Sequence, residues 1–328
     1  MIDAEQSPSV SIVTAFYNRA QSVAESLGSL VAQTYPNLEI IAIDDGSNDG
    51  TFAEMEKVAD ARCRLIRQEN TGYTVALSTA VRQSKGELIA VHDAGDVSFP
   101  ERIARQAGFL ARNPTIGLLA CAVENEETFN RGIAIDRPPS PAAVTAKLWQ
   151  GNPIHHGAVM YRRSLYDRVG GYRPLFRFAQ DHDLWLRMIA HAEVGVIDEV
   201  LYRRKKFEGG VSTTAAKIVL QKYLSDFAIQ CARSRDAHGR DLIDRHGALA
   251  PFLRERSPRL GRTLAWYAMR WLAHGQAAEA EEFLKAAMRE SRHPKVFAAA
   301  VILRLSRSPW AWENVLKPAM LRRYSRQG

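Results

Sequence analysis

The sequence predicts an α/β protein: a mainly parallel sheet sandwiched by helices, followed by a helical C-terminal region. Three observations carry this. Apolar, β-branched segments alternate with helical segments of about 10–15 residues along the first third of the chain, the pattern of βαβ units. Polar residues gather where the apolar segments end: Phe16-Tyr17-Asn18, Asp44-Asp45, Asn70-Thr71-Gly72 and Asp93 to Asp96. From Thr214 onward the pattern is helical throughout.

Residues 10–15 read as a buried strand, followed by a helix from Arg19 to Gln33 with Val23, Leu27, Leu30 and Val31 on one face. Pro36 and Asn37 turn the chain into a strand, Leu38 to Ile43. A helix follows from Thr51 to Ala59, a strand from Arg64 to Gln68, and a helix from Val75 to Gln83 that Gly86 terminates. Glu87 to Val91 is the fourth strand, Pro100 opens a helix reaching Asn113, and Ile116 to Cys121 is strand again. Residues 124–153 are polar and rich in proline and read as a loop over the site. Gly157 to Tyr161 reads as strand, Gln180 to His191 as helix, and Leu201 to Lys206 as a last strand before Gly209-Gly210. Residues 263–288 read as a helical hairpin turning at Gly275; it is similar to one tetratricopeptide unit, but no repeat follows. The expected division is an α/β domain over residues 1–212 and a basic helical region over residues 213–328.

Composition excludes several classes. Over 328 residues, 46% are hydrophobic and 24% charged, which excludes a disordered, collagen-like or coiled-coil chain. No apolar run approaches the ~20 residues of a membrane span; the best stretch is Phe297 to Leu303. Asp3 and Glu5 near the start, with no apolar run behind Met1, argue against a signal peptide. Cys63, Cys121 and Cys231 lie far apart, which argues against a disulfide framework and fits a cytoplasmic protein. The net charge is +8, and residues 289–328 hold nine Lys/Arg against Glu290 and Glu313. With Trp310, Trp312 and Tyr324, that segment suits a solvated helical face, an anionic membrane surface or nucleic acid.

In parallel sheets ligands bind outside the carboxyl ends of the strands, where the polar clusters lie. Asp45-Gly-Ser47-Asn-Asp49-Gly50 with Glu56 has calcium-loop spacing, but a β-branched segment precedes it where an EF-hand has a helix. Asp44 and Asp45 exceed what capping the helix at Thr51 needs, since Ser47 or Asp49 would suffice. A carboxylate there can accept the N3–H of uracil or thymine, a donor that cytosine lacks. Asp93 and Asp96 suit either a divalent cation bridging phosphates or a turn bonding its own backbone. His155-His156 precedes a strand, and as an isolated pair reads as structural or as polar surface. Asp181-His182-Asp183 cannot direct both carboxylates into one site from a helix, so one faces the cleft while Leu184 and Met188 pack the core. Trp185 suits core packing or a stacking face for a sugar.

With these residues in place, residues 8–212 resemble the family 2 glycosyltransferases of GT-A fold. The likeness runs through Tyr17-Asn18, Gln33-Thr34-Tyr35-Pro36, Asp44-Asp45-Gly46-Ser47-x-Asp49-Gly50-Thr51, Asn70-x-Gly72, Lys85-Gly86-Glu87, Asp93-Ala94-x-Asp96 and Pro100-x-Arg102. It continues through His156-Gly157-x-Val159-Met160-x-Arg162, Gly170-Gly171-Tyr172, Gln180-Asp181-x-x-Leu184-Trp185-x-Arg187 and Leu201-Tyr202-Arg203.

The resemblance implies an inverting nucleotide-sugar transferase. The base would lie between Tyr17 and Asp44/Asp45, with Ala15, Phe16 and Gly72 on the same wall, and Asp93 and Ala94 at the diphosphate. Asp181 would be the catalytic base, and His156, Trp185, Arg203 and Lys205 would serve the acceptor or diphosphate. Three departures stand out. Gly95 occupies the usual metal-ligand position, Phe207 stands where the family often has a His, and Gln180 replaces the acid before the base. Mg²⁺ or Mn²⁺ is therefore expected to be held weakly, by Asp93 and Asp96 and mainly by the donor's phosphates, with the run Arg203, Arg204, Lys205 and Lys206 sharing the leaving-group charge. The expected donor is a UDP- or dTDP-sugar. The expected acceptor is a hydroxyl of a glycan or lipid-linked saccharide, reached from the cytosolic membrane face, with no nucleic-acid partner. The alternative, motivated by the missing ligands, is a degenerate fold that binds nucleotide sugar or serves as a scaffold.

Overall fold

The computed structural model describes residues 7–126, 132–205 and 214–324. These residues divide into two compact units, one ending at Lys205 and one following it. The expected boundary at residue 212 lies outside the described residues.

The first unit begins with β1 (Val10–Phe16), α1 (Ala20–Val31), β2 (Leu38–Asp45), α2 (Thr51–Val58), β3 (Cys63–Gln68), α3 (Tyr73–Gln83) and β4 (Leu88–Val91). These alternate as expected, because β1, β2 and β4 are predominantly apolar and a sheet covered on both faces buries them throughout, Glu39 of β2 excepted. The unit continues with β5 (Val97–Ser98), α4 (Arg102–Arg112), β6 (Ile116–Glu126), β7 (Ile133–Asp136), α5 (Pro141–Leu148), β8 (Met160–Arg162), α6 (Arg163–Arg168), α7 (Gln180–Met188) and β9 (Glu193–Arg204). Among the described residues the sheet has nine strands in the order β3-β2-β1-β4-β8-β6-β9-β5, with β7 beside β6. Strands β3, β2, β1 and β4 are mutually parallel, as are β6 and β9; β8 runs antiparallel between β4 and β6. The registers Phe16–Asp44 and Asp45–Gln68 bring the carboxyl ends of β1, β2 and β3 level.

Several spans differ from the sequence reading. The expected loop over residues 124–153 contains β7 and α5: Pro141 sits at the first turn of α5, and Val144 and Leu148, four apart, bury one face. Strand β9 begins eight residues before the expected start, at Glu193, and follows β6 through register irregularities. The expected strand at Gly157 starts later, as β8, because His156–Ala158 form a single 3₁₀ turn. The core beneath the sheet packs Ile12, Phe16 and Ile40 with Leu27 and Leu30 of α1 and Ile103 and Leu110 of α4.

The second unit is helical: α8 (Ala215–His238), α9 (Leu242–His246), α10 (Pro258–Ala273), α11 (Ala277–Glu290), α12 (Pro294–Leu305), α13 (Pro309–Ala311) and α14 (Lys317–Tyr324). The hairpin of α10 and α11 turns at Gly275, whose φ of +81° is left-handed. Leu264, Ala268, Phe283 and Ala287 fill its seam, and Leu303 of α12 belongs to the same core. No described helix is long and apolar enough to cross a membrane.

Candidate nucleotide and phosphate site

Beyond β1, Tyr17 stands 49% exposed, the chain's natural place for an aromatic platform. Asn18 behind it has φ +49°, rare for a residue with a Cβ and costly unless its surroundings fix it. They do: its N–H donates to Ser47 Oγ (2.9 Å) and its Oδ1 accepts the N–H of Asn48 (3.0 Å). The β1 and β2 ends are thereby tied together. Gly46 brings the β2 and β3 ends equally close, because a Cβ there would lie 2.7 Å from the Asn70 nitrogen.

The two acids at the end of β2 do different things. Asp45 is almost wholly buried; Oδ1 accepts from Gln68 Nε2 (2.8 Å) and the Thr71 N–H (3.0 Å), and Oδ2 accepts the Gly72 N–H (2.9 Å). It fixes the turn at Gly72 (φ +86°), where α3 starts. Asp44 accepts the Ser47 N–H (3.1 Å), and its Oδ2 lies 3.3 Å from Arg67 Nε. Asp49, not these acids, receives the Thr51 N–H (3.0 Å) at the start of α2, so capping is discharged elsewhere. Asp45 and Asp49 turn to different partners, and calcium-loop geometry is absent among the described residues. Gly46, Ser47, Arg67, Gln68, Glu69 and Asn70 line an open pocket of about 550 Å³ against these residues.

Asp93, at the end of β4, is the centre of a second cluster. Its Oδ1 accepts the Tyr73 hydroxyl and faces His156 Nδ1 (3.2 Å); His156 Nε2 in turn meets the Tyr172 hydroxyl (2.8 Å). Burial alone would raise the Asp93 pKa, but the His156 charge and the two hydrogen bonds hold it well below the usual carboxylate range. Burial alone would lower the His156 pKa; Asp93, with a smaller contribution from Asp181, raises it instead. His156 is itself largely buried and bonded to Asp93 and Tyr172, so the contact it makes with the site runs through Asp93.

Asp96 points elsewhere. It is buried, Oδ2 accepting the Tyr202 hydroxyl (2.8 Å) and Oδ1 the Lys205 N–H (2.9 Å). Burial, and then the nearby Asp93 charge, push its pKa up to about 7. The expected pair of carboxylates facing one diphosphate is therefore not formed. Asp93 presents its partly exposed side chain, Ala94 is half-buried, Gly95 has φ +104°, and Asp96 serves the fold. Among the described residues no group of three or more His, Cys, Asp or Glu is placed to hold a metal ion. The donor set does not fit a cation held by protein alone; Phe207 lies outside the described residues.

Beneath this turn lies a buried polar layer. His92 bridges Ser26 Oγ (3.0 Å) and Ser98 Oγ (3.1 Å), and Ser26 also accepts the Gly95 N–H (2.9 Å). Arg102, fully buried, donates to the Val91 (2.7 Å) and Val159 (3.1 Å) carbonyls, to Ser98 Oγ (2.8 Å) and to Gln106 Oε1 (3.1 Å). Its guanidinium also lies 4.9 Å from the centre of the Tyr202 ring.

In the first turn of α7, Asp181 is half-buried and accepts from Asn152 Nδ2 (2.7 Å). Its neighbours diverge as helical geometry requires: Asp183 is buried against Arg187 (2.6 Å), and His182 Nε2 meets the Leu148 carbonyl (2.7 Å). Trp185 is 0% exposed, 6.0 Å from the His156 ring and 5.8 Å from the Tyr161 ring. It is a core residue, not the stacking face for a sugar that its spacing also allowed. In the basic run Arg203 pairs with Glu124 (2.6 Å), Lys205 with Glu25, and Arg204 reaches Asn125 Oδ1 (3.4 Å), while Lys206 lies outside the described residues.

Sequence reasoning had assigned no role to Tyr73, Asn152, Tyr172 or Tyr202. The last two stand within motif segments, which was the available signal; Tyr73 and Asn152 carried none.

The comparisons agree with this geometry. The sequence profile described as Glycosyl transferase family 2 matches residues 11–170. A putative glycosyltransferase, EpsE, of Bacillus subtilis is 32% identical over 204 residues, covering 60% of this chain and 72% of that protein. The UDP-Glc:alpha-D-GlcNAc-diphosphoundecaprenol beta-1,3-glucosyltransferase WfgD of Escherichia coli is 26% identical over 191 residues, covering 58% and 73%. Among solved structures, the mannosyltransferase PcManGT of Pyrobaculum calidifontis, in complex with GDP-Man and Mn²⁺, superposes with a TM-score of 0.55 at 21% identity, covering 97% of this chain and 86% of that one.

Proposed function

Because this chain belongs to glycosyl transferase family 2 and has the GT-A fold, we propose that it transfers a sugar, with inversion, from a UDP- or dTDP-sugar to a hydroxyl of a glycan or lipid-linked saccharide in cell-envelope polysaccharide synthesis. One observation carries the reading: an exposed aromatic, two carboxylates and an open pocket at the ends of β1 to β3, with Asp93 at the end of β4 and Asp181 contributing to the same electrostatic cluster. WfgD, by its name, uses UDP-Glc and a diphosphoundecaprenol-linked acceptor.

In this reading the base stacks on Tyr17, and its N3–H reaches Asp44 or Asp45, with Ala15, Phe16 and Gly72 lining the wall. The diphosphate lies over Asp93 and Ala94. Asp181 accepts the acceptor hydroxyl proton while that oxygen forms its bond to C1. The bond from C1 to the diphosphate oxygen breaks with its electron pair, and the nucleoside diphosphate leaves. An ionised Asp93 beside a diphosphate is repulsive unless a cation lies between them. Mg²⁺ or Mn²⁺ would arrive with the donor's phosphates, since the protein alone offers too few oxygens. The transferase domain would be residues 1–212, and the basic helices of residues 213–328 would hold the enzyme at the cytosolic membrane face.

The test is a panel of nucleotide sugars scored for nucleotide release and for the anomeric configuration of the product. Release of UDP or dTDP with inversion is expected. Donor binding with no release from any donor or acceptor would favour the alternative, a nucleotide-sugar-binding protein without turnover, which the small donor set for a cation motivates.

A further inference from the structure

Helix α12 has the sequence PKVFAAAVILRL, apolar apart from Lys295 near its start and Arg304 near its end. One side is explained: Val296, Ala299 and Leu303 are buried in the core of the helical unit. The other side is not. Phe297, Val301 and Leu305 recur every fourth residue, so they form one row on the opposite face, and they are 50%, 57% and 51% exposed. Past the helix, Trp310 is 70% and Val315 52% exposed. Single exposed apolar residues are ordinary, but an aligned row on a helix that already has a buried face is not.

Charge accompanies the row along the chain: Lys295 and Arg304 on α12 and Arg307 just past it are exposed, Arg307 reaching Glu281 (3.8 Å), and Arg292, Arg322 and Arg323 are exposed in the same helical unit, where Glu313 is paired with Lys317 (3.0 Å). An apolar row followed by a tryptophan, in a segment with an excess of Lys and Arg, suits the boundary of an anionic bilayer: apolar side chains enter the acyl region and cations remain among the head groups. Twelve residues make about 18 Å of helix, too short to cross the ~30 Å hydrocarbon core. Nucleic acid would use the charge but has no use for the row.

We infer that the outer face of α12, with Trp310 and Val315, is a docking surface that seats the protein on an anionic lipid bilayer by shallow insertion. The inference extends the lipid-linked acceptor reading and rests on it for its biological purpose, but not for its measurement.

The experiment is co-flotation of the full chain with vesicles of phosphatidylcholine alone or mixed with phosphatidylglycerol, with nucleotide release measured in solution on the same samples. The native chain is expected on the mixed vesicles and not on phosphatidylcholine alone. Val301→Glu combined with Leu305→Glu should lower partition at least about tenfold, with melting temperature and nucleotide release unchanged, because both side chains face solvent. Trp310→Ala should lower it by a smaller factor. Absence from the mixed vesicles at low salt would overturn the inference. So would undiminished partition of the double variant, or competition by duplex DNA that displaces native and double variant equally. Docking without nucleotide release from any donor would sink the transferase reading and leave this one standing.

Discussion

The hydroxyl of Tyr202 closes the turn between Asp93 and Asp96: it donates to Asp96 Oδ2 at 2.8 Å and accepts the Asp93 N–H at 3.1 Å. The fit has no slack, since a Cβ on Gly157 would stand 2.2 Å from that hydroxyl. Tyr202→Phe would leave a buried carboxylate and a backbone N–H each short of a partner. We expect a stability loss of about 1–3 kcal/mol in urea unfolding and a fall in turnover of about tenfold. Gly157→Ala should give the same turnover defect by displacing the ring. Full turnover in Tyr202→Phe would show that the turn holds without it.

Asp181→Asn should fold normally, keep the Asn152 contact through its remaining oxygen, and bind donor as the native chain does. Turnover should drop about 10²-fold or more, the usual worth of a positioned base. Calorimetric donor binding and a turnover assay separate the two effects; near-native turnover would move the proton elsewhere.

Asp45 accepts several protein hydrogen bonds, so its replacement acts twice. Asp45→Ala should weaken UDP binding by about 1.5–3 kcal/mol and also loosen the Thr71-Gly72 turn, visible as a lower melting temperature. Asp45→Asn should spare the turn better while narrowing the preference for UDP over CDP. A native chain that binds CDP and UDP equally would remove base reading from this site altogether.

Mn²⁺ titrated into the protein alone should bind weakly, and UDP should strengthen it; Asp93→Asn should remove most of that gain. Tight binding without nucleotide would contradict the donor set described above. Gly95→Asp is a poor probe, because φ of +104° is strained for any residue with a Cβ.

Burial, and then the neighbouring Arg102 charge, depress the His92 pKa to about 3. The folded state thus binds this proton less readily than the unfolded chain, whose histidine titrates near 6.5. The stability it contributes is complete above about 6.5 and is lost as pH falls towards 3. Melting temperatures measured from pH 7 to pH 4 should decline more steeply for the native chain than for His92→Gln, which can still bond both serines. Parallel slopes would mean that His92 is not the titrating group.

How much of this was legible beforehand follows from the range of the interactions. Strands β1, β2 and β4 announce themselves because each is rich in β-branched and apolar residues, with only Ser11, Thr14 and Glu39 interrupting before the acids that end β2. Strand β9 hides half its length behind Gly195, Asp198 and Glu199, and β5, with two residues, has no periodicity to detect. That Asp181 and Asp183 diverge was legible because helix geometry is local, but which of them stays free of the Arg187 pair was not; the choice of Asp181 rested on the family resemblance. The cluster around Asp93 was illegible as a cluster: Tyr73, His156 and Tyr202 arrive from 20, 63 and 109 residues away, and only the folded sheet brings them together. Asp96 was misread for a related reason, its partners lying at the far end of β9.

The buried guanidinium of Arg102 has a consequence for amide hydrogen exchange. Among the described residues it meets no carboxylate directly; carbonyls, a hydroxyl, an amide and one aromatic face receive it. Opening the Asp93–Asp96 turn would admit water to one side of that charge and break its shell only in part, an intermediate with little to recommend it. The amides of Asp93 and Gly95, though they sit in a loop, should therefore exchange with the slowest class of sheet amides, through global rather than local opening. A protected loop amide is unusual enough to be recognised at once in an exchange map, with no substrate in hand.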